Sequence, residues 1–265
     1  MKNIIYQYWD GTMNSGAIYG AKVMKEYANR IGAEYLFEDN PRFRSDLGAY
    51  SPHYGQFKVV YDKKFEDYDN VLFTDTDVFP VKDLRENIFE NFNADIGICT
   101  EDHQPKMRLT SNNHINSRND ELWAAAIKAK WNVDMPRTSD NLLKVYNSGV
   151  VLYSREGIKA MKERFVPFYD YVGFIFSKRL PDFYASDQGY IHAMLKVAKL
   201  NFKEMDAGWN SFVHYVGDPN MKPRPVNDMR TSSTKFVHVQ LRGADHYDEN
   251  KLWRITNLPE REWQL

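Results

Sequence analysis

The chain has 265 residues, of which 43% are hydrophobic and 15% aromatic, so it can bury a sizeable core and is not intrinsically disordered. Its 35 basic and 36 acidic residues give a formal net charge of −1, which excludes a polycation that coats nucleic acid. The one cysteine, Cys99, excludes a disulfide framework and fits a reducing compartment. It lies in an apolar run, where a small core residue is expected.

Targeting signals are not evident in the sequence. Residues 1–11 contain neither a long apolar segment nor a small-residue cleavage site, so they predict no signal peptide. No apolar run approaches the ~20 residues that span a bilayer. We therefore expect no membrane span and a cytoplasmic location.

Strand-like and helix-like segments alternate along the first hundred residues. Gly32 is a plausible C-cap for the first helix, while Ser51 and Pro52 form a start signal for the second. The alternation predicts an α/β fold with a mostly parallel, doubly wound, Rossmann-like sheet and helices on both faces. The predicted elements are strands at 3–9, 34–38, 70–75 and 95–100, and helices at 17–31, 51–65 and near 84–92.

The remainder of the chain is more irregular. Residues 101–142 are polar and contain one amphipathic helix. No repeat or low-complexity tract is present, so we predict a single domain over 1–265, with a nucleotide-sugar-binding half at 1–102 and an acceptor-binding half at 103–265. The predicted elements are helices at 120–131, 155–172 and 186–200, and strands at 144–154 and 235–241.

The stretch VLFTDTDVFPV, residues 71–81, carries two aspartates directly after an apolar strand. Asp75 and Asp77 are two positions apart, so in an extended chain their side chains point the same way. Two carboxylates aimed at one point repel unless a cation lies between them. Because ligands of parallel α/β sheets bind beyond the carboxyl ends of the strands, the pair predicts a Mg²⁺ or Mn²⁺ site open to phosphate oxygens.

Two other interpretations of this pair stay open. The aspartates could be turn or helix-capping residues, as expected for the chain's other Asp-x-Asp at Asp67 and Asp69. A phosphatase of the haloacid dehalogenase type also starts with Asp-x-Asp after an apolar strand. That pattern has Thr or Val at the fourth position after the first aspartate, where this chain has Phe79.

Taken together, these stretches resemble the Asp-x-Asp glycosyltransferases of the nucleotide-sugar-binding (GT-A) fold. The resemblance is greatest to family 8, which includes glycogenin and bacterial lipopolysaccharide galactosyltransferases. It implies a metal-dependent transferase that uses a nucleotide diphosphate sugar. Five stretches carry it in the family's order: NVLFTDTDVFPV at 70–81, ADIGICTED at 94–102, VYNSGVVLYS at 145–154, SDQGYIHAM at 186–194 and FVHVQLRG at 236–243.

The resemblance implies a metal site that holds the donor diphosphate. Asp75, Asp77 and His238 would bind Mn²⁺ or Mg²⁺, with Thr76 also at the donor, and the metal would act as a Lewis acid on the leaving diphosphate. Arg242 replaces the family's lysine and would pair with the diphosphate. Apart from the resemblance, His238 is equally explained as a hydrogen-bonded strand residue and Arg242 as a surface arginine.

Other donor contacts are also implied. Tyr8, Asp10 and Asn14, at the end of the first strand, would meet a uracil base, and Lys58 would lie near the donor. Core packing explains Tyr8 equally well, and a surface position explains Lys58.

Four polar residues are candidates for contact with the sugar: Asp102, Asn147, Asp187 and Gln188. Family 8 enzymes retain the anomeric configuration, and Asp187 and Gln188 are the candidate catalytic residues. Front-face attack by the acceptor, with only electrostatic assistance, is equally allowed. A structural alternative for Asp187 is a first-turn helix residue favoured by the helix dipole.

The acceptor is not defined by the sequence. Residues 222–242 carry five basic residues and one acidic residue, so they could face a diphosphate, bind an anionic acceptor or form a solvated loop. A saccharide or glycolipid is the default acceptor, and DNA with a hydroxymethylated base is the alternative. A non-catalytic nucleotide-sugar-binding protein is the rival of another class. The basic residues are Lys222, Arg224, Arg230, Lys235 and Arg242.

Overall fold

A computed structural model of the chain describes residues 1–216, 220, 224–241 and 247–263. The chain divides into two compact units. The first comprises Met1–Pro41, Tyr68–Phe92 and Asp206–Leu265, and the second Arg42–Asp67 and Asn93–Met205. The predicted mixed α/β class is confirmed.

The described elements are ten strands and nine α-helices, together with four 3₁₀ segments. The strands are β1 (Asn3–Trp9), β2 (Glu34–Asp39), β3 (Asn70–Thr74), β4 (Val78–Pro80), β5 (Ile96–Thr100), β6 (Tyr146–Ser154), β7 (Phe202–Glu204), β8 (Ser211–Tyr215), β9 (Val226–Asp228) and β10 (Phe236–Gln240). The helices are α1 (Ser15–Ile31), α2 (Lys58–Tyr61), α3 (Gln104–Leu109), α4 (Ser117–Trp131), α5 (Arg155–Arg164), α6 (Phe168–Ser177), α7 (Asp187–Val197), α8 (Glu249–Asn257) and α9 (Glu260–Trp263).

In the first unit, β1 lies between β2 and β3 and is parallel to both, as predicted. α1 connects β1 to β2. It begins where the side chain of Asn14 accepts a hydrogen bond from the Ala17 N–H at 2.8 Å. It ends at Gly32, whose left-handed conformation, with φ of 70°, confirms the predicted C-cap.

The same unit contains a second sheet. Of its four strands, the sequence predicted only β10. Its strand order is β4-β10-β8-β9, with β10 antiparallel to β4 and parallel to β8. A hydrophobic cluster covers this sheet and joins it to α1, α8 and α9. Its buried members are Tyr19, Phe79, Val213, Val237, Val239, Leu241, Leu252, Ile255 and Trp263.

In the second unit, β5 pairs with β6 and with β7. β7 is parallel to β5 and β6 is antiparallel to it, which is compatible with the predicted mostly parallel sheet. The eight residues of β6 from Tyr146 to Tyr153 are buried. An aromatic cluster supports the helices of this unit, with Tyr190 of α7 in ring contact with Tyr54, Phe57 and Phe168.

Three helix predictions need correction. Residues 84–92 are irregular, with a turn at 88–91, instead of a helix. Ser51 is not an N-cap, because a 3₁₀ segment begins earlier at Gly48, and it gives way to the short α2. The predicted helix at 155–172 is two helices, since the chain is extended at Phe165 and Pro167.

Among the residues that the structure describes, no helix combines the length and the apolar character needed to cross a bilayer.

Candidate functional site

The Asp-x-Asp sequence forms the turn between β3 and β4. β3 ends at Thr74, and the Val78 N–H donates to the Asp75 carbonyl at 3.3 Å. The Val239 N–H donates to the Asp77 carbonyl at 2.9 Å, which ties the turn to β10. The two aspartates therefore lie just beyond the carboxyl end of a buried parallel strand, as predicted.

A buried glutamine of β1 is hydrogen-bonded to this turn. Gln7 of β1 is fully buried, and its Nε2 donates to the Asp75 carbonyl at 2.9 Å. Its Oε1 accepts from the Tyr35 hydroxyl at 2.9 Å. Both ends of the amide are thus satisfied inside the core, so the position of the Asp75 backbone is fixed by the sheet.

The carboxylates of Asp75 and Asp77 converge on a histidine. One ligand atom from each of these residues and from His238 lies within 4.8 Å of the others. Nε2 of His238 is 3.3 Å from Oδ1 of Asp77, and the imidazole is almost fully buried. Two hard oxygen donors and one imidazole form a donor set that fits Mn²⁺ and also accommodates Mg²⁺.

The imidazole of His238 is held on two sides. It stacks on the ring of Phe212 at a centroid distance of 4.9 Å. Its Nδ1 lies 3.0 Å from Oδ1 of Asn210, which is itself 2% exposed. Asn210 was not predicted, because nothing in the sequence marks this asparagine as a partner of a distant strand residue.

A second polar cluster lies in the second unit and includes two of the sugar-binding candidates. Asn147 Nδ2 donates to Glu101 Oε1 at 3.0 Å, and Gln188 Nε2 donates to the same oxygen at 3.2 Å. Glu101 is 6% exposed, whereas its neighbour Asp102, the sequence candidate, is exposed.

Strand alternation was the signal that could have identified Glu101. Cys99 pairs with Asn147 across β5 and β6, so these two residues share a face of the sheet. Glu101 is two positions beyond Cys99, and its N–H continues the pairing to the Val145 carbonyl at 2.8 Å. Asp102 has the opposite parity.

Asp187 begins α7 after Ser186, and its carboxylate is enclosed. The amide of Gln56 donates to it, and the hydroxyl of Ser148 also bonds to it. Burial raises the pKa of the Asp187 carboxyl, while nearby His53 and the hydrogen bonds act in the opposite direction. Gln56 is itself fully buried and accepts from the Tyr153 hydroxyl at 3.1 Å.

The remaining candidates have structural partners of their own. The ring of Tyr8 stacks on Phe73 at 5.7 Å, and Asn14 caps α1. Asp10 is half-buried at the end of β1, and Lys58 lies 3.8 Å from Asp62 within the second unit. Arg242, which was predicted to pair with the diphosphate, lies outside the described residues.

Two of the three described cations in the basic segment at 222–242 are paired with acidic residues. Arg230 forms a two-point pair with Asp228 and also donates to the carbonyl of Leu258 at 2.8 Å. Lys235 is 13% exposed and lies 3.5 Å from Glu86 and 3.6 Å from Asp206. Arg224 packs over the ring of Tyr215 at 4.9 Å, and Lys222 is outside the described residues.

The chain is similar to known proteins in structure. No family model and no curated protein sequence matches the chain. The structure of the galactosyltransferase LgtC with donor and acceptor sugar analogues matches 99% of this chain and 100% of that chain, with a TM-score of 0.54 and 12% identity. An active-site glutamine-to-glutamate mutant of LgtC matches the same shares, with a TM-score of 0.55 and 12% identity.

The chain adopts the GT-A fold. At 12% identity the likeness shows this fold and nothing finer. Mouse xyloside xylosyltransferase 1 also matches, over 93% of this chain and 99% of that chain at 16% identity, but its TM-score of 0.45 adds no support. The GT-A fold agrees with the family resemblance of the five sequence stretches, and it leaves the donor, the metal and the reaction to be argued from the residues.

Proposed function

We propose that this chain is a metal-dependent glycosyltransferase. It moves a sugar from a nucleotide diphosphate sugar, with UDP as the nucleotide, to an acceptor hydroxyl, within a single glycosyltransferase domain. The observation that carries the proposal is the convergence of Asp75, Asp77 and His238 beyond the end of β3 in a GT-A fold. A donor set of this kind suits a divalent cation that keeps positions open for phosphate oxygens.

The metal-binding residues have a defined task in this proposal. Asp75, Asp77 and His238 hold Mn²⁺, or Mg²⁺, which supplies Lewis-acid stabilisation of the negative charge on the departing diphosphate. The turn that carries both aspartates is fixed through the Gln7 amide and the Val239 N–H, so the carboxylates are preorganised. Thr76 and Arg242 are assigned to the donor diphosphate, and Tyr8, Asp10, Asn14 and Lys58 to the rest of the donor nucleotide.

The second cluster is proposed to act on the sugar. Glu101, Asn147 and Gln188 form a hydrogen-bonded group that can present acceptors and amide donors to sugar hydroxyls. Asp187 and Gln188 are the proposed catalytic residues, and LgtC also has an active-site glutamine. Transfer is proposed to retain the anomeric configuration, with the acceptor hydroxyl attacking on the face from which the diphosphate departs.

A saccharide or glycolipid is the proposed acceptor. Arg230 and Lys235 are paired with acidic residues and carbonyls, so these two cations are not available to a phosphate backbone. Binding to nucleic acid depends on basic groups that can neutralise phosphates. Modified DNA is therefore the less supported acceptor. Salt-sensitive retardation of duplex DNA by the protein would support DNA as the acceptor instead.

The test is release of the nucleoside diphosphate from a panel of UDP- and GDP-sugars in the presence of Mn²⁺. We expect turnover with UDP-sugars and a loss of about 100-fold or more in Asp75→Asn and Asp77→Asn, since the metal contributes several kcal/mol to stabilisation of the transition state. Asp67→Asn is the matched control, because Asp67 belongs to the other Asp-x-Asp and is exposed. Equal turnover in all three variants would refute the metal assignment. No turnover with any sugar nucleotide would favour a binding protein.

A further inference from the structure

Asn210 binds a proton on one ring nitrogen of His238. Nδ1 is 3.0 Å from Oδ1 of Asn210, and because an amide oxygen only accepts, Nδ1 donates. Nε2 faces two other groups, Oδ1 of Asp77 at 3.3 Å and Nε2 of Gln240 at 3.5 Å. When Nδ1 carries the single proton of the neutral ring, the lone pair of Nε2 is the one that faces Asp77.

The position of Asp77 shows why this tautomer matters for metal binding. Nε2 of His238 is 3.3 Å from Oδ1 of Asp77. With the proton on Nδ1, two lone pairs face each other across that distance, an arrangement that a cation stabilises. With the proton on Nε2, the imidazole would donate to Asp77 and would offer no lone pair to a metal.

We infer that Asn210 is a positioning residue that holds His238 in the Nδ1-protonated tautomer and so presents Nε2 to the metal. The inference rests on the proposed function, in which His238 is a metal ligand. Metal-bound histidines generally donate their other ring N–H to a fixed acceptor, which sets the tautomer and the ring orientation. Asn210 acts through His238 and is assigned no contact with substrate.

The fold around Asn210 keeps its amide in place. Asn210 ends a 3₁₀ segment, Ala207–Asn210, that leads directly into β8. In the parallel pairing of β8 with β10, Phe212 lies opposite His238 and stacks on its ring. Phe212 therefore restrains the plane of the imidazole, and Asn210 selects its tautomer.

The first experiment reads the tautomer directly. Long-range ¹H–¹⁵N NMR at mildly alkaline pH, with diamagnetic Mg²⁺ at one fixed concentration for every variant, distinguishes protonation at Nδ1 from protonation at Nε2. We expect His238 to be protonated at Nδ1 in the native protein. In Asn210→Leu, which keeps the branched side-chain shape and removes the acceptor, we expect the signal to shift towards Nε2. A merely structural role for Asn210 would not change this signal.

The second experiment measures Mn²⁺ affinity by the EPR signal of free Mn²⁺. We expect Asn210→Leu to weaken binding by about 10- to 100-fold, the usual effect of removing such a partner. Asn210→Asp restores an acceptor for Nδ1, and we expect it to bind Mn²⁺ within a few-fold of the native protein. Asn70→Leu is the matched control, because Asn70 is also a buried asparagine of the first unit and bonds to Asn3 at 2.9 Å, away from His238.

The failures of the two proposals are distinguishable. If the native protein binds no Mn²⁺, the metal assignment of the proposed function fails and the inference falls with it. If the native protein binds Mn²⁺ but Asn210→Leu binds it equally well, or keeps the Nδ1-protonated signal, only the inference about Asn210 is overturned. A loss of affinity in Asn70→Leu equal to that in Asn210→Leu would also overturn it, because general destabilisation would then explain both.

Discussion

Gly20 sets how closely α1 approaches the Asp-x-Asp turn. A Cβ atom built on Gly20 would lie 1.9 Å from the Thr76 carbonyl oxygen and 3.5 Å from the ring of Phe79. The first contact is to backbone, so no side-chain rotation relieves it. The turn that carries Asp75 and Asp77 can therefore lie this close to α1 only because position 20 has no side chain.

We expect Gly20→Ala to destabilise the protein by about 1–3 kcal/mol, because overpacking forces the backbone to move. The shift displaces the turn, so Mn²⁺ affinity falls as well. Chemical denaturation and Mn²⁺ titration measure the two effects. Gly173→Ala is the control: Gly173 is exposed on α6 with nothing within 4 Å of its Cβ position, and we expect a gain of about 0.4–1 kcal/mol. Equal stability of the two variants would contradict the close approach.

His192 of α7 is a buried histidine with a strongly lowered pKa. Burial, assisted by the charge of Arg108, lowers its pKa to about 3. Its Nε2 is buried without a hydrogen-bonding partner in the described part of the chain, and its ring contacts Trp123 and Tyr146. The folded protein therefore keeps this imidazole neutral under conditions in which the unfolded chain would protonate it.

This difference predicts acid destabilisation with a definite sign. Because the folded pKa lies below the unfolded value of 6.5, the contribution of His192 is present above pH 6.5 and is lost as the pH falls towards about 3. Between pH 6.5 and 4.5 the free energy of unfolding should decrease by about 2 kcal/mol from this group alone.

The variant that tests this is His192→Phe, which keeps an aromatic ring beside a small cavity of about 20 Å³ and removes the titrating group. We expect the loss of stability between pH 6.5 and 4.5 to be smaller in His192→Phe than in the native protein. His114→Gln, at an exposed histidine, should follow the native curve. If His192→Phe also followed the native curve, protonation of His192 would not be the cause.

At the level of elements, the segment 84–92 shows how tertiary contacts override a local helix preference. The Tyr27 hydroxyl donates to the Glu86 carbonyl at 2.8 Å and accepts from the Ile88 N–H at 3.2 Å. Arg30 donates to the Leu84 carbonyl at 3.1 Å. These side chains of α1 occupy the backbone groups that a helix would use, so the segment follows α1 in an irregular path.

We expect Tyr27→Phe to cost about 1–3 kcal/mol, because it leaves the buried N–H of Ile88 and the carbonyl of Glu86 without their partner. Tyr61→Phe is the control, since Tyr61 is 37% exposed, and its effect should stay within about 0.5 kcal/mol. Urea unfolding of both variants makes the comparison. A cost for Tyr27→Phe no larger than that for Tyr61→Phe would show that the hydroxyl does not hold the segment.

The elements that the sequence predicted well are those with strong local signals. β1 and α1 have clear apolar periodicity, and Gly32 marks the end of the helix, so their bounds agree closely with the structure. β4, β7 and β9 are three residues long and owe their conformation to partner strands, which periodicity cannot reveal. α5 and α6 are separated by the extended residues Phe165 and Pro167. A proline removes a backbone N–H and so favours a break in a helix.

The candidate site follows the same division. Asp75, Asp77 and His238 were predicted from motif order, and the structure brings them together. Their supports were not predicted, because Gln7 and Asn210 bond to residues distant in sequence. Such contacts depend on strand register, which the sequence leaves open.

At the scale of the whole molecule, the candidate metal site links regions of the chain that are far apart in sequence. Asp75 and Asp77 follow β3, while His238 lies on β10, and both regions belong to the first unit. The three ligands meet only when this unit is folded. Metal binding is therefore coupled to folding, since an ion that binds the folded state and not the unfolded chain stabilises the protein by mass action.

We expect Mn²⁺ at about 100 times its Kd to add roughly 2.7 kcal/mol of stability, which corresponds to a rise in Tm of about 5–10 °C for a chain of this size. The rise should be reversed by EDTA and absent in Asp75→Asn and Asp77→Asn, because each variant removes one of three ligands. Asp67→Asn should keep it. Hydrogen exchange should locate the added protection at β3, β4 and β10, which surround the turn. A rise in Tm that persists in both aspartate variants would place the bound Mn²⁺ elsewhere, and the coupling of this site to folding would be refuted.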